Sequence, residues 1–199
     1  MDKSLSVVIP AAGGGQRFGA KKQFLEHQGW SLLRWSLEPF LKLGDALRSL
    51  MVAVPAEDLA AARKSHGALE GRVEFVAGGP TRRESVYLAE RELWQRGQRG
   101  LWLVHDAARP LLEAGDLARL IGVLEAGDVG GLLACRVCDT LKRGGPGDVV
   151  SGTVDRRELW QALTPQGASA ELLWPCAERA QKEGWEVTDD ASLMETCGV

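Results

Sequence analysis

Short, largely apolar segments alternate with segments of helical periodicity from residue 5 to residue 137. The first of them, Leu5–Ile9, ends at Pro10, and apolar residues then recur at helical spacing over residues 31–43. The same alternation predicts further strands at residues 50–54, 73–76, 101–104 and 131–137, and further helices at residues 57–65, 82–96 and 115–124. Apolar strands that alternate with helices are typical of βαβ units. Because these strands are apolar along most of their length and do not alternate with polar residues, the sequence predicts an α/β fold whose parallel sheet is covered by helices on both faces.

The alternation stops after residue 137. Residues 139–143 and 148–154 are two short β-like segments on either side of Gly144-Gly145-Pro146-Gly147, which is a strong turn signal. We interpret them as a hairpin that stands off the main sheet, at about residues 138–157. A helix over residues 169–183, a short strand at Glu186–Val187 and a short final helix complete the prediction. Because neither an internal repeat nor a linker is visible, we expect residues 1–199 to form a single domain.

Composition excludes several classes of function. The 199 residues include 24 basic and 27 acidic side chains, for a net charge of −3, which argues against a dedicated binder of nucleic acid or of anionic membranes. No apolar stretch approaches the roughly 18 residues that a membrane-spanning helix needs. The apolar segment near the N-terminus is too short for a signal peptide. We therefore expect a cytoplasmic protein with neither a nucleic-acid partner nor a membrane partner.

Two of the four cysteines, Cys135 and Cys138, form a C-x-x-C motif. They lie in or beside a predicted strand, where residues three apart point to opposite faces. A structural zinc site usually needs four ligands, and no second pair follows. We expect buried or half-buried thiols here, not a zinc or redox site.

A glycine-rich loop follows the first predicted strand and reads Pro-Ala-Ala-Gly-Gly-Gly-Gln-Arg-Phe-Gly-Ala-Lys-Lys-Gln over residues 10–23. It fails the dinucleotide-binding pattern, because Phe18 takes the place of the last glycine, and it fails the P-loop pattern, because Ala20 takes the place of lysine. What remains is a glycine turn followed by Arg17, Lys21 and Lys22. Such a turn suits a triphosphate, although it can also be merely a tight connection.

The segment His-Asp-Ala-Ala-Arg-Pro follows the predicted strand at residues 101–104. Asp106 is thereby placed at the carboxyl edge of a parallel sheet, where open α/β folds bind ligands. A carboxylate there can hold Mg²⁺ against ligand phosphates, although a structural Asp in a turn is an equally simple interpretation. We interpret His105 as a packed residue at the strand end and not as a metal ligand.

Two more segments carry polar groups that suit an anionic ligand. Residues 78–85 read Gly-Gly-Pro-Thr-Arg-Arg-Glu-Ser, which is either a ligand-binding turn or a capped helix start. The predicted hairpin and the segment after it carry Thr140, Arg156 and Thr164. These side chains could bind a second anionic substrate, or they could be polar residues of solvated strands.

Taken together, seven short motifs resemble those of the 2-C-methyl-D-erythritol 4-phosphate cytidylyltransferases, a family of the non-mevalonate isoprenoid pathway. They occur in order: A-A-G-x-G-x-R with K-Q, G-G-x-x-R-x-x-S-V, H-D-A-A-R-P, D-T-x-K, T-V-D-R, L-T-P-Q and T-D-D-A-S. The resemblance runs from residue 5 to residue 198. It implies a doubly wound, mostly parallel, Rossmann-like nucleotidyltransferase fold with a protruding β-arm.

The resemblance also implies a role for individual residues. The nucleotide, CTP, would be contacted by Ala11, Ala12, Gly13, Gly79, Ser85, Asp106 and Ala107. The catalytic cations would be Arg17 and Lys22, and Asp106 would hold Mg²⁺. The second substrate, methylerythritol phosphate, would be bound by Arg109, Thr140, Arg156 and Thr164. The implied reaction is an in-line attack of that phosphate on the α-phosphorus of CTP with release of pyrophosphate, in a homodimer built through the β-arm.

The chain departs from the family pattern at two places. Pro80 stands where the family commonly has Asp, which affects one contact to the base. The family also continues past the last residue of this sequence with a strand that carries a further phosphate-binding Lys and with a final helix. A chain ending at Val199 would be expected to bind substrate less well. Two other functions stay open: a ribitol-5-phosphate cytidylyltransferase and a non-catalytic nucleotide-binding module.

Overall fold

A computed structural model describes residues 4–13, 19, 21–69, 71–127 and 130–199. Its strands are β1 (Leu5–Pro10), β2 (Glu26–His27), β3 (Trp30–Ser31), β4 (Leu47–Val54), β5 (Glu74–Ala77), β6 (Leu101–Val104), β7 (Gly131–Arg136), β8 (Leu141–Gly144), β9 (Val150–Val154) and β10 (Trp160–Ser169). Its α-helices are α1 (Leu32–Leu41), α2 (Leu59–Ser65), α3 (Arg82–Gln95), α4 (Ala114–Ala126), α5 (Ala170–Glu183) and α6 (Asp190–Cys197).

The main sheet has six strands in the order β5-β4-β1-β6-β10-β7. The first four of these are parallel to one another, and β10 is antiparallel to both of its neighbours. The strand order reverses between β1 and β6, which is the position where open α/β sheets form a ligand-binding crevice. The predicted α/β fold with a mostly parallel sheet is confirmed.

Both faces of the sheet are buried. Within β1, Val7 and Ile9 pack into one core, whereas Val8 packs into the other. The first core also takes apolar residues of α1, α2 and α4, and the second takes those of α3, α5 and α6. This arrangement explains why the strands are apolar on both sides, and it makes the sheet doubly wound.

Strand β10 was not predicted, because its Thr-Pro-Gln-Gly segment has the composition of a turn. Gly167 makes the pairing of β10 with β6 possible. A Cβ at this position would lie 1.9 Å from the carbonyl oxygen of Trp102, so only glycine fits. The predicted strand at Glu186–Val187 was wrong: neither residue pairs in a sheet, and Val187 instead packs against the second core.

Strands β8 and β9 pair with each other as an antiparallel hairpin, and most of their residues are exposed. The hairpin connects β7 to β10. Gln166 of β10 pairs with Val104, the last residue of β6, and also with Leu132 of β7. Leu132 of β7 is therefore level with the carboxyl end of β6, and β7 continues for four more residues to Arg136. The β7–β10 pair thus extends past the end of β6.

Contrary to the expectation of buried or half-buried thiols, Cys135 and Cys138 are both exposed. They belong to the end of β7 and to the segment after it, where most residues are exposed. Both are free thiols. Among the helices in the described ranges, we find none with the length and apolarity to cross a membrane.

Candidate active site

Three loops meet at the carboxyl edge of the sheet. They follow β1, β5 and β6, which all point the same way, so Ala11, Gly78 and His105 are brought to one edge. Backbone hydrogen bonds fix each loop to the neighbouring strand: Ala11 N donates to Ala53 O, Gly78 N to Val54 O, and His105 N to Val8 O. The loops after β1 and β6 lie on the two sides of the point where the strand order reverses.

The first two loops contact each other at Gly78. A Cβ on Gly78 would lie 2.7 Å from Ala12 Cβ and 2.8 Å from Ser85 Oγ, so the absence of a side chain allows this approach. Ser85 itself is buried, and its hydroxyl group donates to the carbonyl oxygens of Thr81 at 2.8 Å and Gly79 at 3.2 Å. Three residues assigned to the nucleotide, Ala12, Gly79 and Ser85, are therefore brought together.

Helix α3 begins next to this turn because Thr81 and Glu84 form a capping box. Thr81 Oγ1 accepts from Glu84 N at 3.1 Å, and the Glu84 carboxylate accepts from Thr81 N at 3.2 Å. This cap fixes where the first helical residue, Arg82, leaves the turn. The same helix start therefore sets the positions of both Arg82 and Ser85.

Gln23 shapes the start of the glycine-rich loop, and the sequence did not single it out. Its buried side-chain amide donates to Ala11 O at 2.7 Å and to Gly13 O at 3.2 Å. Of the two cations assigned to catalysis, Lys22 is exposed and begins a short 3₁₀ helix beside Gln23. Arg17 lies outside the described residues.

Lys21, the other cation of this loop, forms ion pairs with Asp58 and Glu57. The carboxylate of Asp58 accepts a hydrogen bond from the ammonium group and raises its pKa. The sequence alone made Lys21 and Lys22 equal candidates for binding phosphate.

Asp106 lies between two arginines. Arg82 Nε donates to its Oδ1 at 3.1 Å, and Arg109 Nε donates to its Oδ2 at 3.0 Å. Burial alone would raise the pKa of Asp106, but the charges and hydrogen bonds of the two guanidinium groups outweigh burial and hold that pKa below its ordinary value. Asp106 is therefore ionised at neutral pH.

His105 and Thr164 form hydrogen bonds with the same loop, the one that follows β6. His105 is 1% exposed, its Nε2 lies 3.1 Å from Arg109 O, and its Nδ1 lies 3.0 Å from Thr164 Oγ1. Thr164 Oγ1 also accepts from Asp106 N at 3.2 Å. Burial lowers the pKa of His105 to about 4, so the ring is neutral near pH 7. His105 is a packed residue at the strand end, as predicted.

The site combines a glycine-rich turn, a capped helix start and a carboxylate bound by two arginines. We compared the whole chain with known proteins to identify its family. A family model described as 2-C-methyl-D-erythritol 4-phosphate cytidylyltransferase matches residues 5–199. The chain belongs to this family. The predicted family resemblance is confirmed, and so is the prediction of a nucleotidyltransferase that acts as a cytidylyltransferase.

Individual relatives agree with the family model. The 2-C-methyl-D-erythritol 4-phosphate cytidylyltransferase of Cronobacter sakazakii (strain ATCC BAA-894) is 41% identical over 194 residues, which cover 96% of this chain and 80% of the relative. A crystal structure of 4-diphosphocytidyl-2C-methyl-D-erythritol synthase matches with a TM-score of 0.82 at 37% identity, covering 100% of this chain and 86% of the other. The cytidylyltransferase structure from Thermus thermophilus gives a TM-score of 0.76 at 30% identity, covering 98% and 85%.

Asp106 is the carboxylate to which the family resemblance assigns Mg²⁺. Among the described residues, no group of three or more His, Cys, Asp or Glu side chains is arranged to hold a metal ion. Asp106 is nevertheless partly exposed, and Mg²⁺ usually takes only one or two carboxylates together with phosphate oxygens and water. The residues of this cytidylyltransferase thus fit an ion that shares its coordination with a triphosphate.

The hairpin residues assigned to the second substrate lie apart from this cluster. Thr140 and Arg156 are exposed, and the Arg156 guanidinium donates to the Cys138 carbonyl oxygen. In the parts of the chain that the structure describes, no hydrogen bond or ion pair joins either residue to Asp106 or Arg109. The structure therefore brings together Arg109, Thr164, Asp106 and Ala107, but not the two hairpin residues.

Proposed function

We propose that this chain transfers CMP from CTP to 2-C-methyl-D-erythritol 4-phosphate and releases pyrophosphate. The observation that carries the proposal is Arg82, which begins the helix of the Gly79–Ser85 turn and also binds Asp106. One side chain thus connects the nucleotide turn to the loop assigned to the second substrate. The loops after β1 and β6 lie on the two sides of the point where the strand order reverses, which supports a ligand-binding crevice there.

The chemistry needs no covalent enzyme intermediate. A phosphate oxygen of methylerythritol phosphate attacks the α-phosphorus of CTP in line, and the bond from that phosphorus to the bridging oxygen of pyrophosphate breaks. Residues Ala11–Gly13 and the Gly79–Ser85 turn bind and orient the nucleotide. Arg109 orients the attacking phosphate, so that catalysis rests on positioning and on charge.

Negative charge moves to the leaving pyrophosphate during this step. Arg17 and Lys22 follow the glycine turn and would stabilise that charge. Asp106 would hold Mg²⁺, which when bound supplies further positive charge to the triphosphate. The arginines that hold Asp106 keep its carboxylate ionised, and a bound cation would share that carboxylate with them.

The β7–β10 extension and its hairpin would serve as an arm in a homodimer of single-domain subunits. A two-stranded hairpin has little core of its own and is marginally stable alone in water. Exposed apolar side chains of Val149, Val150 and Trp160 lie on this part of the chain. Packing against a second copy would bury them, and it would bring Thr140 and Arg156 to a partner's site in a cytoplasmic enzyme.

Transfer of the CMP group can be tested directly with labelled CTP. With label on the α-phosphorus, the account expects label in the sugar product, and with label on the γ-phosphorus it expects label only in pyrophosphate. Transfer of the γ-label to the sugar would contradict the proposal, because it would indicate a kinase reaction.

A further inference from the structure

His105 is a buried imidazole that the reaction proposed above does not use. Both of its ring nitrogens nevertheless have partners next to the site: Nε2 is close to Arg109 O in the loop after β6, and Nδ1 is close to Thr164 Oγ1 in β10. Its ring also packs edge-on against Phe40, with centroids 5.3 Å apart. A ring with both nitrogens engaged has a defined tautomer, and the chemistry of its partners identifies that tautomer.

The partners fix the direction of each hydrogen bond. A carbonyl oxygen can only accept, so His105 Nε2 must carry the hydrogen that is donated to Arg109 O. In the neutral ring Nδ1 then has no hydrogen and must accept. The donor is the hydroxyl group of Thr164, whose oxygen accepts in turn from Asp106 N.

We propose that His105 is a positioning residue that sets the geometry of Asp106 and Arg109 through these directed hydrogen bonds. The proposal rests on the proposed function for the identity of the second substrate. It gives Thr164 a more specific role than the family resemblance implied. Because the Thr164 hydroxyl hydrogen is donated to His105, Thr164 offers a ligand only a lone pair, which accepts from a sugar hydroxyl but cannot donate to a phosphate oxygen.

Further hydrogen bonds make the loop a unit that His105 can hold. Arg109 N donates to Asp106 O at 3.1 Å, and Ser36 Oγ in α1 donates to Ala107 O at 2.9 Å. Together with the Arg109–Asp106 ion pair, these bonds hold residues 106–109 in a tight turn. The turn ends at Arg109, whose carbonyl oxygen accepts from His105. Loss of the imidazole would release that end while leaving the nucleotide turn at Gly78–Ser85 intact.

Variants of His105 test this role through the two Michaelis constants. His105→Phe keeps an aromatic ring against Phe40 but removes both hydrogen bonds, so the KM for methylerythritol phosphate should rise roughly tenfold or more. The KM for CTP, which Asp106 also affects, should rise by a smaller factor. His105→Asn keeps an acceptor near Thr164 and should recover part of the loss. The matched control is His66→Phe, since His66 is also buried and hydrogen-bonded but lies away from the site.

A double-mutant cycle with Thr164→Val separates a positioning role from independent contacts. If the two side chains act partly through their shared hydrogen bond, the double variant should lose less than the sum of the two single losses, because that bond is counted in both. Additive losses would overturn the proposal, as would an equal rise in both Michaelis constants or a loss no larger than that of His66→Phe.

The tautomer itself can be observed without any turnover. The ¹⁵N NMR spectrum of the wild-type protein with labelled histidine should show His105 with a protonated Nε2 and an unprotonated Nδ1 near pH 7. A protonated Nδ1 would overturn the assignment even if every variant failed to fold. If the wild-type protein does not accept methylerythritol phosphate, the proposed function fails, whereas the NMR result still decides the direction of the hydrogen bonds.

Discussion

Asp106 and Asp190 bind the same guanidinium group, that of Arg82. Arg82 Nε donates to Asp106 Oδ1 and Arg82 Nη2 donates to Asp190 Oδ2, both at 3.1 Å. Asp106 lies at the edge of the site, whereas Asp190 is 1% exposed at the first residue of α6. The position of the carboxylate that would face the substrates therefore depends on the packing of α6.

Replacement of Arg82 by Met should destabilise the fold by about 3 kcal/mol, because it leaves Asp190 buried without its counter-charge. Burial already raises the pKa of Asp190, and the charge of Arg82 opposes that rise. Without Arg82 the folded state favours the protonated carboxyl group still more, so the loss of stability should be larger at pH 8 than at pH 5. Urea unfolding at both pH values measures this.

The control for this prediction is Arg157→Met. Arg157 also forms a close ion pair, with Asp155, but both side chains are exposed on the surface. We expect no resolvable change in unfolding free energy for Arg157→Met. Equal effects of the two substitutions would mean that the Arg82–Asp190 pair contributes no more than a surface ion pair.

Glu90 should make the protein less stable as the pH rises. It is fully buried in α3, and neither carboxylate oxygen has a hydrogen-bond partner among the described residues. Burial raises its pKa from 4.5 to about 8, and the charge of Asp190 adds to the rise. The unfolded state therefore loses this proton at lower pH than the folded state, so the stability that Glu90 contributes below its unfolded pKa is lost as the pH increases to about 8.

The variant Glu90→Gln removes this titration. Relative to the wild type, its free energy of unfolding should increase as the pH is raised from 5 to 8, as followed by chemical denaturation. A difference between the two proteins that stays constant over this range would show that Glu90 does not titrate there.

A methyl group at Gly78 should weaken CTP binding. In Gly78→Ala the new Cβ would come within 3 Å of both Ala12 and Ser85, so the nucleotide turn must shift. We expect the KM for CTP to rise roughly tenfold, with a stability loss of about 1–3 kcal/mol from overpacking. Steady-state kinetics with CTP varied would detect the change.

Gly122→Ala is the matched control for Gly78→Ala. Gly122 lies inside α4, and among the described residues no atom outside the adjoining turns of that helix lies within 4 Å of an added Cβ. Alanine there should stabilise the helix by about 0.5–1 kcal/mol and leave both Michaelis constants unchanged. An unchanged KM for CTP in Gly78→Ala would place the nucleotide elsewhere.

If the arm completes a partner's site, two inactive variants should complement each other. Arg17→Ala should lower kcat by roughly 10²–10³, by analogy with the loss of one donor to a developing charge. Arg156→Ala removes the cation on the arm. A heterodimer of the two variants would contain one wild-type site, so subunit exchange should restore activity. Absence of recovery, with heterodimers confirmed by native mass spectrometry, would exclude a shared site.

The sequence predicts the parallel part of the fold well because each of those strands carries its own signal. Residues 101–104, for example, are apolar throughout and follow a glycine. Strand β10 lacks such a signal, since Thr164, Pro165 and Gly167 favour turns. Its pairing depends on the close approach of β6 to Gly167, which is a tertiary property.

The sequence also predicts which loops form the site, but not all of the hydrogen bonds within it. Parallel strands place Ala11, Gly79 and Asp106 at one edge, so their proximity follows from the fold class. The bond from Arg82 to Asp190 joins residues 108 positions apart, and no local pattern reveals it. The two bonds of Gln23 to the loop carbonyl groups were missed for the same reason, although its place in the K-Q motif was a signal.

Pyrophosphate release from CTP tests the central claim most directly. The account predicts release with Mg²⁺ and 2-C-methyl-D-erythritol 4-phosphate, little release with ribitol 5-phosphate, with ATP or with GTP, and near-complete loss in Asp106→Asn. Faster release with ribitol 5-phosphate, or wild-type turnover by Asp106→Asn at saturating Mg²⁺, would contradict it.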